Sequence, residues 1–211
     1  MTSFRKNSDS QERFWQGDFG DEYTSRSQGQ ILIRSNETLF SRVVAAMGAP
    51  PVSVLELGAN RGLNLVALQR LLPAGRFTGL EINDKAFESL CSLDGINAIH
   101  GSIYDFSSTE AFDLVFTKGV LIHLNPERLP DVYRKLEAYS SKYILLAEYY
   151  NPSPVEVPYR NHHGKLFKRD FAGEMLELYP SLSLVDYGFC YHRDPVAPQD
   201  DITWFLLRKA S

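Results

Sequence analysis

Val54-Leu55-Glu56-Leu57-Gly58-Ala59-Asn60-Arg61-Gly62 is the stretch on which the fold turns. The apolar run over 52–57 predicts a buried parallel strand. Residues 58–62 predict a tight turn, and 63–72 keep helical spacing until Pro73 stops them. A glycine directly after a strand permits a sharp turn and close approach of backbone to a ligand. The helix that follows presents free N–H groups at its start. In an open parallel sheet, ligands gather at the carboxyl ends of the strands. The dinucleotide pattern G-x-G-x-x-G, counted from Gly58, requires glycine at 60 and 63. Asn60 and Leu63 stand there instead, so a pyrophosphate cradle is not met. Glu56 sits two places before the glycine. A carboxylate there repels pyrophosphate and attracts an ammonium or sulfonium group.

Outward from this stretch the pattern alternates. Strands are expected over 76–82, 96–100, 112–117 and 143–150. Helices are expected over 84–93, capped by Asn83, and over 126–139, opened by Pro126. Such alternation implies a parallel sheet with helices on both faces. The tail breaks the rule. Two strand-like runs, 182–192 and 202–208, are joined by a segment that holds Pro195 and Pro198 and is too short for a crossover helix. They predict a hairpin, with the last strand antiparallel. Upstream, 2–11 is polar and expected to fray. Phe14, Trp15, Phe19 and Tyr23 lie within ten residues broken by Gly17 and Gly20, and such a segment must dock to hide its rings. A helix over 27–47 follows, ended by Gly48-Ala49-Pro50-Pro51. The chain divides into an aromatic-rich helical arm or lid, 1–48, and a main domain, 49–211. The loop over 151–168 is long enough to suggest function.

Of 211 residues, 44% are hydrophobic and 23% charged, as expected for a chain with a sizeable core. Lys+Arg is 22 against Asp+Glu 26, a formal charge of −4, which gives no bulk reason to coat nucleic acid or an anionic membrane. Cys91 and Cys190 form no disulfide framework, and no apolar run approaches the ~20 residues of a spanning helix. A soluble, cytoplasmic protein is expected. Phe87, Phe112, Phe116 and Phe205 are expected in the core.

Glu56 to Gly62 resembles motif I of class I S-adenosylmethionine-dependent methyltransferases, E/D-x-G-x-G-x-G. Asn60 replaces the middle glycine, and asparagine tolerates the left-handed backbone better than most residues. The resemblance implies an α/β, Rossmann-like fold: a seven-stranded, mostly parallel sheet with an antiparallel last strand. It implies S-adenosyl-L-methionine as cofactor, with Gly58 and Ala59 near its methionine part and Glu56 binding its amino group. Asn60, Gly62 and Asn64 belong to the same turn and helix start. Glu81, with Ile82, is expected at the ribose hydroxyls; Gly101, Ser102 and Ile103 at the adenine; Thr117, Lys118 and Gly119 at the methionine and methyl end. Tyr23 closes the cofactor site from the arm. Trp15 serves either as a lid over the cofactor or as packing against the sheet edge.

His123 is the candidate general base, since an imidazole titrates near working pH. The alternatives are a packing role, or a reaction that needs only alignment and no base. Over nearly the whole chain, the Phe14–Tyr23 segment, the segment after the fourth strand and Asp201-Ile202-Thr203-Trp204-Phe205-Leu206-Leu207 resemble the methylases found with pseudaminic acid biosynthesis genes. That implies methyl transfer to an oxygen or nitrogen of a small polar acceptor, such as a nonulosonate or nucleotide-activated sugar. Acceptor candidates are Arg26, His123, Glu148, Tyr149, Tyr150, Asn151, Tyr159, Arg160, His162, His163 and Lys165. Arg160, Lys165, Lys168 and Arg169 supply positive charge for a carboxylate or phosphate. His162, His163, Cys190 and His192 lack metal-ligand spacing, and no metal is expected. The rival readings are an NAD(P)-dependent oxidoreductase, opposed by Glu56, Asn60 and the terminal hairpin, and a non-catalytic cofactor-binding module. A nucleic-acid amino-methylase is opposed by Thr117-Lys118-Gly119-Val120, which is not Asp/Asn-Pro-Pro-Tyr. Oligomeric state is left open.

Overall fold

A computed structural model of the chain describes residues 10–25, 29–160 and 162–210, with the side chains of 23–25 excepted. The elements run α1 (Ser10–Gln16), α2 (Asp18–Ser25), α3 (Gly29–Ala46), β1 (Ser53–Leu57), α4 (Leu63–Leu71), β2 (Arg76–Glu81), α5 (Asp84–Cys91) and β3 (Ile96–His100). They continue through β4 (Phe112–Lys118), α6 (Leu129–Tyr139), β5 (Ser140–Glu148), β6 (Val155–Glu156), β7 (Phe167–Lys168), α7 (Phe171–Leu178), β8 (Leu182–Cys190) and β9 (Ile202–Lys209). Seven strands form one sheet in the order β3-β2-β1-β4-β5-β9-β8. The pairs β1–β2, β1–β4, β2–β3 and β4–β5 are parallel. β9 is antiparallel to both β5 and β8, as the proline-bearing connection before it predicts.

The central strands are apolar on both faces because both faces are covered. In β1, Val54 points to the layer of α3 and α4, with Leu39, Phe40, Leu65 and Leu68. Leu55 and Leu57 point to the layer of α6 and α7, with Val132, Tyr133, Leu136 and Met175. The chain leaves β1 toward one edge of the sheet and β4 toward the other. Their carboxyl ends diverge, and a crevice opens between them.

Several expectations need correction. The fifth strand covers 140–148 rather than 143–150, because Ser140 already pairs with Phe112. Pro126 to Arg128 form a 3-10 turn before α6 begins at Leu129. The long loop is not wholly irregular, since β6 and β7 pair within it. α7 went unread. It is one short helix with Gly173 inside, and its start is fixed by Asp170, whose side chain accepts from the Gly173 N–H at 2.8 Å. Phe87 is not core: it is half-buried and stacks on His100 at the sheet edge, centroids 4.7 Å apart. The polar start was expected to fray through residue 11, yet Ser10 and Gln11 begin α1; the rest of that stretch lies outside the described residues.

Phe40 is fully buried and meets Phe116 edge-on at 5.5 Å, joining α3 to the centre of the sheet. Phe40→Ala is expected to lower unfolding stability by about 3–5 kcal/mol, measured by denaturant titration. A loss of less than about 1 kcal/mol would place α3 outside the cooperative core.

Candidate active site

The crevice holds a cavity of about 340 Å³. Its walls are the turns after the parallel strands. Gly58, Ala59 and Asn60 come from the turn after β1, and Asn64 from the start of α4. Glu81 and Ile82 end β2, Gly101 and Ile103 follow β3, and Lys118, Gly119 and His123 follow β4. All eleven belong to the predicted site. Gly58 has φ +82°, and a Cβ there would come within 2.7 Å of the Val120 side chain. Only glycine lets the two turns approach this closely. Asn60, at φ 49°, occupies the left-handed region expected of it.

The best-organised group is Glu81. Its Oε2 accepts from the Asn60 N–H at 2.6 Å, and its Oε1 from the N–H groups of Ile82 and Asn83 at 2.9 and 2.8 Å. Burial raises its pKa, while those three donors pull the other way. Glu56 lies one layer lower. It is fully buried; Oε1 accepts from Asn64 Nδ2 at 2.6 Å, and Oε2 has no hydrogen-bond partner among the described residues. Contrary to expectation it does not line the cavity, whereas its partner Asn64 does. Burial pushes it up to about 8, opposed by Asn64 and by the charge of Lys118. Burial depresses Lys118 in turn, against the pull of Glu56 and Asp200.

Other predicted residues sit elsewhere. Gly62 caps α4 in a left-handed conformation. Thr117 is buried beside Glu148. Ser102 is buried and does not line the cavity; its hydroxyl donates to Glu12 and accepts from the Tyr104 N–H at 3.0 Å. Glu148 is a clamp: its carboxylate accepts from the N–H groups of Val120, Leu121 and Ile122 at 3.0–3.5 Å, fixing the turn after β4. Burial pushes it up to about 7. Tyr149 lies under Lys168 (5.1 Å), exposed Tyr150 packs on Phe205, and Asn151 closes its own turn on Ser153. None of these four lines the cavity. Tyr159 stands 5.0 Å from the His123 ring, with the Arg160 guanidinium 5.6 Å from its own ring centre. His163 is exposed beside Glu156, and His192 is held by Asp201 at 2.8 Å. Arg169 pairs with Glu174, and Lys165 donates to the Ser10 carbonyl. The Tyr23 side chain and Arg26 lie outside the described residues.

The arm forms a further wall, where Trp15 takes the lid position that was one of its two expected places and where Gln11, Glu12 and Gly20, not singled out in the sequence, also line the cavity. A Cβ on Gly20 would fall 1.9 Å from the Trp15 carbonyl oxygen and 2.9 Å from Asn83 Nδ2, so α2 can seat only with glycine here. Asn83 Nδ2 donates to that carbonyl and to Asp21. Trp15 therefore covers the cavity, its ring 4.5 Å from His123. Phe14 and Phe19 pack on His162 of the long loop, and Gln11 donates to the Gly164 carbonyl. His123 is neutral: burial lowers it to about 4. Its Nδ1 bonds the Lys165 carbonyl at 2.7 Å, so Nδ1 carries the proton and Nε2 keeps its lone pair.

Glu56 and Glu148 have folded-state values above the ordinary 4.5. Stability from such groups is whole below that value and falls as pH rises toward about 7 and about 8. The melting temperature is expected to fall between about pH 5 and about pH 8, and Glu56→Gln should flatten the slope. Identical slopes in calorimetric scans would remove Glu56 as its source.

A family model described as a methyltransferase domain matches residues 54–140. A curated relative, a probable cobalt-precorrin-6B C(15)-methyltransferase (decarboxylating) of Thermoplasma acidophilum, is 24% identical over 125 residues; the match covers 56% of this chain and 59% of that protein. Among solved structures, the plantazolicin methyltransferase BpumL in complex with S-adenosylhomocysteine superposes with a TM-score of 0.69 at 17% identity, covering 95% of this chain and 94% of its own. The 1,6-didemethyltoxoflavin-N1-methyltransferase of Burkholderia thailandensis gives 0.66 at 14% identity, covering 91% and 84%. The chain has the class I methyltransferase fold, and the stretch similar in sequence to a methyltransferase domain runs from 54 to 140.

Proposed function

We propose that this chain is a cytoplasmic S-adenosylmethionine-dependent methyltransferase acting on an oxygen or nitrogen of a small polar acceptor. The observation that carries the reading is Glu81: a buried carboxyl at the tip of β2, lining a cavity whose opposite wall is the glycine turns after β1 and β4. A carboxylate so placed suits a ribose diol, and open backbone suits the chain that extends from it. When bound, the cofactor supplies a methyl group activated on a sulfonium. Gly58, Ala59 and Gly119 would hold its amino-acid end by backbone, with Lys118 and Asn64 as the polar side chains there. Trp15 excludes water. His123 Nε2 is available to take the proton that the acceptor loses. Within the N-terminal stretch 1–48, the lid is α1 and α2, whereas α3 is built into the core.

The acceptor lies toward His123, Tyr159 and Arg160. A nonulosonate or nucleotide-activated sugar is the class we favour, on the resemblance carried by the aromatic arm and the last strand. The methyltransferase-domain match weighs against both rival readings.

Calorimetry with S-adenosylhomocysteine is expected to show binding, and Glu81→Ala to weaken it about 10- to 100-fold. Unchanged affinity would refute the ribose assignment. With an acceptor found by mass-spectrometric screening of sugar acids, His123→Asn is expected to lower kcat by about 10²- to 10⁴-fold at unchanged cofactor affinity. An unchanged kcat would leave alignment alone as the source of rate.

A further inference from the structure

We infer that Glu12, carried on the N-terminal helix, recognises the amino group of the donor's purine, so that the arm reads the base as it closes. The inference rests on the donor reading above and adds a residue from outside the stretch that matches the methyltransferase domain.

The cavity has a direction. One end is Gly58, Lys118 and Gly119; Glu81 stands along its length; the other end is formed by the turn after β3. With the sugar at Glu81 and the amino-acid end at Gly119, the base falls at the β3 end, where Ile103 and Tyr104 offer apolar surface. An exocyclic amine placed there needs an acceptor, since a buried unpaired N–H is costly. Ser102 is the obvious group by position, but its single hydrogen goes to Glu12 and it already accepts the Tyr104 N–H. Nor does it line the cavity. Three carboxyl residues do: Glu12, Glu81 and Asp200. Glu81 already collects three backbone donors away from this end, and Asp200 acts on Lys118 at the opposite one. Glu12 remains.

It is built for the role. Its side chain is only 7% exposed. Ser102 fixes Oε1, and the Arg128 guanidinium lies 3.9 Å from Oε2 while resting 3.5 Å over the Tyr104 ring. A carboxylate has four lone-pair sites and can accept from several donors at once. It attracts an amine and repels a carbonyl oxygen at the same position, so it separates adenine from its deaminated counterpart.

The test compares S-adenosylhomocysteine with S-inosylhomocysteine by calorimetry on the full chain. Wild type is expected to prefer the adenosyl compound by about 10- to 100-fold. Glu12→Gln, whose amide can donate to the inosyl oxygen, should weaken adenosyl binding and close that gap. A second readout needs no variant: at saturation, the adenosyl compound should slow tryptic cleavage at Arg13 more than the inosyl compound does. Discrimination retained in Glu12→Gln, or equal protection by both ligands, would overturn this inference and leave the donor reading standing. No binding of either compound to wild type would overturn both.

Discussion

The end of β2 ties the fold to its site through one carboxyl. Glu81 gathers the backbone N–H groups of Asn60, Ile82 and Asn83, so the turn after β1 and the turn after β2 are pinned to the same two oxygens. Each turn alone would leave donors without partners in a crevice that must stay partly dry. Pinned together, they hold Gly58 and Ala59 at the spacing the cavity requires. Glu148 repeats the device at β5, where it collects the amides of the turn after β4. Strand tips of a parallel sheet expose backbone donors, and this chain meets those of the two turns with buried acid.

Burial of those acids has a cost that Glu56 makes plain. One of its oxygens has a single donor, Asn64, and the other has none among the described residues. Burial raises Glu56 and depresses Lys118, so it opposes charge on each, while their mutual attraction pulls the other way.

The arm resolves a different tension. Its aromatic rings are costly to leave in water, and they pack where His123, Tyr159 and His162 come together at the sheet tips. Docking hides the rings, roofs the cavity and brings Glu12 to the β3 end. The same contacts bury His123, which keeps the imidazole neutral and leaves Nε2 as its basic atom. Docking of the arm and the state of His123 therefore depend on one set of residues.

The order of the seven main strands, the crevice at the tips of β1 and β4, and eleven of the residues that line the cavity there, Gly58 and Gly119 among them, were legible in sequence. They depend on period, turn chemistry and chain direction, which are local properties. α7 was not, because a short helix with an internal glycine gives a weak periodic signal. Nor were the partners of Ser102 and His123. Glu12 meets Ser102 across ninety residues, and Lys165 meets His123 across forty-two. Sequence alone determined that carboxylates and glycines stand at the strand ends. Only the packed arm and loop decided which of them face the cavity, because side-chain contact across such separations is set by the closing of the whole core and not by any neighbour along the chain.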